Sequence, residues 1–241
     1  MENTITLLSW DSDFFGYKVG RIDVSILSKN ELTNLLSDAK TKGFKLLYWP
    51  VNPKDNVLNQ LAKENGGLLV DEKVTFVRSI LPSDKQLEVS PSVLSCLNKT
   101  ATERTLSLSL QSGIYSRYNT DPNFTHNEFN KLYTEWIEKS LSGKIAKEVL
   151  VFIEKREEVG LLTLGEKNNR ADIGLLAVDK DFRGKSIGTS LMHAAFRKAV
   201  EWGYKEIQVT TQLQNSAACI FYEKMGFRKE HIVNIYHFWF N

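Results

Sequence analysis

The segment best equipped for chemistry is Arg183-Gly184-Lys185-Ser186-Ile187-Gly188. It follows a short apolar run, residues 173–178, and an acidic turn at Asp179. After it, Ile187, Leu191 and Ala195, with Met192, Phe196 and Ala199, recur at helical spacing. A strand, a basic glycine-containing loop and a helix in that order make an anion site. The first backbone N–H groups of a helix have no internal partner, and the helix dipole adds partial positive charge there. Gly184 and Gly188 lack a Cβ and let the main chain approach an oxyanion, while Arg183 and Lys185 add full charge. The spacing is not GxxxxGK[ST], and no GxGxxG follows a first strand, so neither a P-loop nor a dinucleotide fold is indicated.

The elements around this segment are legible from periodicity and punctuation. Ser28 and Glu31 form a capping box opening a helix with Leu32, Leu35, Leu36 and Ala39 on one face, ended by Gly43. Residues 19–24 and 44–49 read as strands. Asn52-Pro53 is expected to start a second helix, with Val57, Leu58, Leu61 and Ala62 inward, stopped by Gly66-Gly67. Val74, Phe76 and Ile80 share one face of a following strand. Residues 81–105 turn polar and read as a linker or ordered connector. A second box, Thr125 with Glu128, opens a helix with Phe129, Leu132, Tyr133, Trp136, Ile137 and Leu141 inward. Strands at 149–153 and 160–164 are joined by a charged hairpin, and Asn168-Asn169 turns the chain into 173–178. A strand at 206–211, a helix from Asn215 to Met225 and a strand-rich tail complete the chain. The predicted layout is an α/β chain with a mixed sheet: an accessory αβ unit over 1–85, a connector over 86–105 and a catalytic domain over 106–241.

A shift of 160 residues carries Gly43 onto Gly203, Gly66 onto Gly226, Phe44 onto Tyr204 and Ala39 onto Ala199. The helix–Gly–strand–helix–Gly–strand order then matches over residues 31–80 and 191–240, which suggests a degenerate half-copy. Opposite the basic loop the first copy offers residues 23–29 with no glycine, and opposite Tyr222 it has Ala62. The N-terminal unit is therefore expected to support and contact substrate rather than catalyse.

The chain has 241 residues, 42% hydrophobic and 25% charged, with a net charge of +2. That is the composition of a globular protein with room for one or two domains and no character of a nucleic-acid binder. Cys96 and Cys219 stand far apart without metal spacing, Cys219 in a predicted helix and Cys96 in the polar connector. They point to a reducing compartment and no metal. The first residues, MENTITLLSW, carry no signal-peptide pattern, and no apolar run is long enough to span a bilayer, so the expected location is the cytoplasm.

Arg183-x-x-Ser186-x-Gly188 resembles the acetyl-CoA loop of the GCN5-related N-acetyltransferases, [QR]-x-x-G-x-[GA], with Ser186 in place of the middle glycine. The resemblance implies their acyl-CoA fold, with acetyl-CoA as co-substrate. It places Leu176, Ala177 and Val178 along the cofactor arm, and Arg183, Gly184, Lys185, Ser186, Ile187, Gly188 and Thr189 around the diphosphate. Acetyl transfer needs a neutral amine, a polarised thioester carbonyl and a stabilised or protonated leaving thiolate. By the same resemblance Tyr222 is the acid and Asn215, at the start of its helix, a cofactor contact. His126, His193, His231 and His237 offer no clear base, so ordered water is expected to take the amine proton.

Further stretches narrow the likeness: residues 10–16, Ser116-Arg117-Tyr118, Glu135-Trp136-Ile137, Ile173-Gly174-Leu175-Leu176-Ala177, and Thr211-Gln212-x-x-Asn215-x-Ala217-Ala218-x-x-x-Tyr222. Together they resemble the dTDP-4-amino-4,6-dideoxygalactose (TDP-fucosamine) N-acetyltransferases, although Phe221 stands where a basic residue is expected. This implies a nucleotide-sugar acceptor, held by Arg117 at its diphosphate and by Tyr118 and Phe15 as stacking rings, and a homodimer contacting near its C-terminal strands. Two other readings are an acetyltransferase for a peptide or small amine, which an acidic cleft would favour, and a non-catalytic acetyl-CoA sensor, which would not need Tyr222.

Overall fold

The computed structural model describes residues 5–23 and 28–240. Contacts divide the chain into two units. The first draws its described residues from Met1–Val74, Asp121–Asn123 and His231–Asn241; the second is Thr75–Thr120 and Phe124–Glu230.

In the first unit the chain runs β1 (Ile5–Leu7), α1 (Ser9–Phe15), β2 (Val19–Ile22), α2 (Lys29–Thr41), β3 (Leu46–Val51), α3 (Asn56–Glu64) and into β4 (Leu68–Ser79). The β1–β2 pair is antiparallel and β2–β3 parallel, and β3 pairs antiparallel with β10 (Arg228–Trp239) over Asn234↔Val51 to Trp239↔Leu46. Leu32, Leu35 and Ala39 of α2 and Leu58, Leu61 and Ala62 of α3 close over Trp49, Tyr236 and Phe238. The Ser28–Glu31 box forms as expected, the Glu31 carboxylate accepting from Ser28 N at 2.7 Å. The expected strand end at Val24 lies outside the described residues. One start is corrected: α3 begins at Asn56, capped by Asp55, whose Oδ1 accepts from Leu58 N at 2.9 Å. Val57, expected to face inward, is 74% exposed, and Asn59 is buried with Leu58, Leu61 and Ala62 instead. Asn59 Oδ1 accepts from Asn234 Nδ2 (2.7 Å) and Tyr236 Oη (2.9 Å), which satisfies its amide inside the core.

The second unit continues with β5 (Val93–Ser95), α4 (Glu103–Ser112), α5 (Arg117–Thr120), α6 (Glu128–Leu141), β6 (Glu148–Glu154), β7 (Glu157–Lys167), β8 (Arg170–Val178), α7 (Ile187–Glu201), β9 (Glu206–Gln212) and α8 (Ser216–Lys224). Its strands lie in the order β4-β9-β8-β7-β6-β5. Both hairpins turn on two residues of positive φ, Lys155-Arg156 (51° and 69°) and Asn168-Asn169 (54° and 59°), the geometry that matches strand twist. Within 81–105, β5 pairs with β6, and Cys96 is buried rather than lying in a polar connector; burial pushes its thiol pKa up to about 12. The second expected capping box is not formed: Asn127 takes φ 65° without a side-chain cap, and the Glu128 carboxylate accepts from His126 N at 2.7 Å. Among the described residues no helix is long and apolar enough to cross a membrane.

The half-copy is borne out in geometry. Offset by 160 positions, α3 superposes in length on α8, and β4 on β10. Gly43 and Gly203 have φ of 77° and 78°, and Gly66 and Gly226 of 83° and 84°. Asp55 caps Leu58 as Asn215 caps Ala218. The first copy ends hydrogen-bonded inside the second unit, Ile80 N to Lys205 O at 2.8 Å, and the second inside the first, Phe240 N to Lys45 O at 3.0 Å. One difference separates the copies. Leu47 and Ile207 stand 160 apart, but their strand partners Gly20 and Ala171 stand only 151 apart, so the second copy has nine extra residues between strand and helix.

His237 and Asp121 pair inside the first unit, Nδ1 to Oδ2 at 2.6 Å, with both side chains 0% exposed. Trp239 Nε1 donates to the same oxygen at 2.8 Å. Burial pushes the Asp121 pKa up, but hydrogen bonds from His237, Asn123 and Trp239 outweigh it and hold the carboxyl below its ordinary value. A depressed folded pKa stabilises fully above about pH 3.9 and loses that stabilisation as pH falls through the folded value. Asp121→Ala is expected to cost about 3 kcal/mol at neutral pH in urea denaturation, with the gap to wild type narrowing below about pH 4.

Candidate active site

The site begins with a defect in the sheet. Strand β7 pairs with β8 at Leu164↔Ile173 and again at Leu162↔Leu176, so Thr163 alone opposes Gly174 and Leu175. Leu175 N donates to Thr163 Oγ1 at 2.9 Å, and a Cβ on Gly174 would stand 2.9 Å from that oxygen. Such a bulge bends its strand. The parallel pairing of β8 with β9 covers Ala171↔Ile207 to Ile173↔Val209, after which both strands run on. The edge of β8 at Leu176, Ala177 and Val178 that would face β9 has no strand partner among the described residues.

A cleft of about 480 Å³ opens along this split. At one end β8 passes into the turn at Asp179, whose Oδ1 accepts from Asp181 N at 3.1 Å. Gly184 (φ 79°) and Ser186 (φ 58°) then both take left-handed backbone before α7 starts at Ile187. Ser186 makes no side-chain cap, and the first intrahelical bond is Ser190 N to Ser186 O at 3.0 Å. The amides of Ile187, Gly188 and Thr189 are thus the orphan donors of the helix start, at the cleft. A Cβ on Gly188 would meet Phe221 at 3.3 Å and Val178 at 3.7 Å, so this glycine lets helix, strand end and ring close together. Arg183 Nε donates to Val178 O at 3.0 Å, which draws the guanidinium back along the strand.

At the other wall stands α8. Asn215 caps it, Oδ1 accepting from Ala218 N at 3.3 Å, and also lines the cleft. Tyr222, 5% exposed, lines the cleft and packs against Phe76, Phe221 and Phe227 at 5.6–5.9 Å between ring centroids. Burial raises its phenol pKa well above the ordinary tyrosine value, with a smaller push from Cys219. The phenol therefore keeps its proton throughout the neutral range.

Of the expected cofactor residues, Leu176, Ala177, Val178, Arg183, Gly184, Ser186, Ile187, Gly188, Thr189 and Asn215 line this one cleft with Tyr222. Lys185 does not; its ammonium lies 3.3 Å from the Glu154 carboxylate. Nor do Arg117 and Tyr118, which engage each other: Arg117 Nη2 donates to Tyr118 Oη at 2.6 Å, with the guanidinium 4.4 Å from the ring centre. Phe15 belongs to the first unit, where its ring packs against Phe14 and Tyr17. Sequence reasoning missed Gln111, Ser112, Ile114 and Tyr115, which line the cleft from α4 and the turn after it. The alternation Leu106-Ser-Leu108-Ser-Leu110 reads as a strand; the available signal was Thr102, whose Oγ1 accepts from Thr105 N at 3.0 Å and caps the helix. Arg183 is the one formally charged lining residue among those described, with no Asp, Glu or His. His193 instead meets Glu88 O at 2.9 Å. Among the described residues no group of three or more His, Cys, Asp or Glu is placed to hold a metal.

Residues 113–227 match the family model described as the acetyltransferase (GNAT) family. The matched segment carries the bulge, the loop and Tyr222. The chain is 30% identical over 138 residues to the spore coat polysaccharide biosynthesis protein SpsD of Bacillus subtilis, covering 57% of this chain and 47% of that protein. It is 40% identical over 58 residues to N-alpha-acetyltransferase 30 of Schizosaccharomyces pombe, covering 24% and 39%. The chain thus spans about half or less of these curated relatives. A functionally unknown protein from Staphylococcus epidermidis shares the fold with a TM-score of 0.66 at 14% identity over 92% of this chain and 83% of its own. A tandem GNAT protein from the clavulanic acid biosynthesis pathway does so at 0.59, with 12% identity over 92% and 75%. The GNAT fold is therefore present, and a tandem arrangement fits the two related halves.

The site fits a coenzyme A thioester: uncapped amides beside a cation for the diphosphate, and an unpaired strand edge for the amide-bearing arm. The left-handed conformation at Ser186 gives a direct test. Ser186→Gly is expected to leave stability intact, whereas the β-branched Ser186→Val costs about 1–2 kcal/mol in chemical denaturation.

Proposed function

We propose that the protein is an acetyl-CoA-dependent N-acetyltransferase whose acceptor is the 4-amine of a dTDP-linked 4-amino-4,6-dideoxysugar. The observation that carries this reading is the charge of the cleft. A peptide N-terminus or polyamine is cationic, and a site selecting it would set carboxylates toward it; no Asp or Glu among the described residues lines this cleft, and its one cation and helix start serve the coenzyme A diphosphate. The lining thus offers a cationic acceptor no counter-charge, which suits an amine carried on an otherwise anionic molecule, as a nucleotide sugar is. The polysaccharide role in the name of the Bacillus relative supports the same direction. The N-alpha-acetyltransferase matches support a peptide acceptor less, since that of the Schizosaccharomyces protein spans 58 residues.

In this reading the neutral amine attacks the thioester carbonyl carbon, the C–S bond breaks, and the amine gives up its proton to solvent. Tyr222 Oη donates its proton to the departing sulfur. Burial raises the Tyr222 pKa, but the same apolar surroundings disfavour the thiolate, so the proton moves between two comparably desolvated anions. The orphan amides of α7 and the edge of β8 fix the thioester, which turns a bimolecular encounter into a positioned one. With no histidine or carboxylate lining the cleft, the attacking amine must arrive neutral.

The decisive assay is thiol release from acetyl-CoA with a panel of dTDP-4-amino-sugars and N-terminal peptides. The sugars are expected to be turned over and the peptides not; the reverse result would hand the reading to peptides. Tyr222→Phe is expected to lower kcat by about 10²–10⁴-fold with coenzyme A affinity unchanged, and an unchanged kcat would remove Tyr222 from the acid role. The pH profile of kcat/KM for the sugar should rise to a plateau at the acceptor amine's own pKa, without an inflection near pH 6.5. Since burial raises the Tyr222 pKa, no falling limb is expected below about pH 10.

A further inference from the structure

We propose that Arg104 is a positioning residue for the diphosphate loop; the proposal rests on the reading of the cleft as a coenzyme A site. Arg104 lies in the first turn of α4, does not line the cleft, and stands 75 residues from the loop it touches. Its Nη1 donates to Asp179 Oδ2 at 3.3 Å and its Nη2 to Glu157 Oε2 at 2.5 Å. Two residues earlier, Thr102 donates to the Glu158 carboxylate, so the start of α4 is tied to the β6–β7 hairpin as well.

Asp179 is the point from which the loop is built. Its N–H donates to Val159 O at 2.9 Å, its carbonyl accepts from Phe182 N at 2.9 Å, and its Oδ1 accepts from Asp181 N. The residue is 7% exposed, so a carboxylate there needs a partner for its second oxygen, and Arg104 is that partner. Without the guanidinium, Asp179 gains by turning toward water, and the turn it caps goes with it. That turn sets where Gly184, Ser186 and the α7 amides lie. The same helix carries Gln111 and Ser112 on the cleft wall, so Arg104 fixes the loop relative to that wall. Because it acts on the diphosphate end alone, its loss should weaken what depends on the diphosphate and spare what does not.

The test compares Arg104→Ala, Arg104→Lys, Asp179→Asn and Glu157→Gln with wild type. Coenzyme A affinity is read by calorimetry, and KM and kcat for acetyl-CoA are compared with turnover of S-acetyl-N-acetylcysteamine, a thioester without the diphosphate. Arg104→Ala and Asp179→Asn are expected to weaken coenzyme A about tenfold or more and to raise KM for acetyl-CoA equally, with kcat and the truncated thioester within about twofold. Arg104→Lys should recover most of the loss, and Glu157→Gln should change nothing. Unchanged coenzyme A affinity in Arg104→Ala overturns the proposal, as does an equal loss for both thioesters, which would mark a merely structural role. If Arg104→Ala does not fold, Asp179→Asn decides by the same criteria. Wild type that gives no heat with coenzyme A would overturn the cofactor reading itself, a distinct outcome.

Discussion

Pairing between β8 and β9 is given up after Ile173, and the cleft of the second unit depends on that loss. Main-chain N–H and C=O groups are obligatory partners, so an unpaired strand edge persists only where something else satisfies it. The bulge at Gly174-Leu175, held by Thr163, bends β8 away, and the loop after it delivers the uncapped start of α7 to the same opening. One defect thus yields an edge for a thin polar arm and a set of donors for an anion. Each is costly when empty and useful when filled.

The half-copy in the first unit shows what the defect requires. It repeats the helices, the glycine turns and even the cap of the second helix, but its strand-to-helix connection is nine residues shorter. Those residues are the extension of β8 and its loop. Where the second unit sets Tyr222 beside a cleft, the first has Ala62 packed in a closed core with Trp49 and Phe238. Where Asn59 ties that core together, Cys219 occupies the matching place, its thiol donating to Gln212 O at 3.6 Å as Asn59 Nδ2 donates to Asn52 O at 2.8 Å. The scaffold is common to both; the site is an insertion.

Legibility followed how local the cause was. Gly43, Gly66, Gly203, Gly226 and Asn168-Asn169 act through their own backbone, and each turn was readable from the residue type. The loop of Arg183 to Gly188 was readable for the same reason, since its spacing encodes its geometry. Helix α4 was hidden because Leu and Ser alternate with a strand's period while tertiary packing selects a helix that buries Leu108 and Ser109. Its cleft residues were hidden with it. The pairing of Lys185 with Glu154, and of Arg117 with Tyr118, brings partners together through the fold or through rotamer choice, which no spacing records.

The central claim is that the amides from Gly184 to Thr189 receive the diphosphate of coenzyme A. Backbone amide NMR of the ¹⁵N-labelled protein under coenzyme A titration measures it directly. The account predicts that the signals of Gly184, Ser186, Ile187, Gly188 and Thr189 move furthest downfield, saturating together with those of Leu176 and Val178. Binding that shifts other amides while leaving these in place would contradict it.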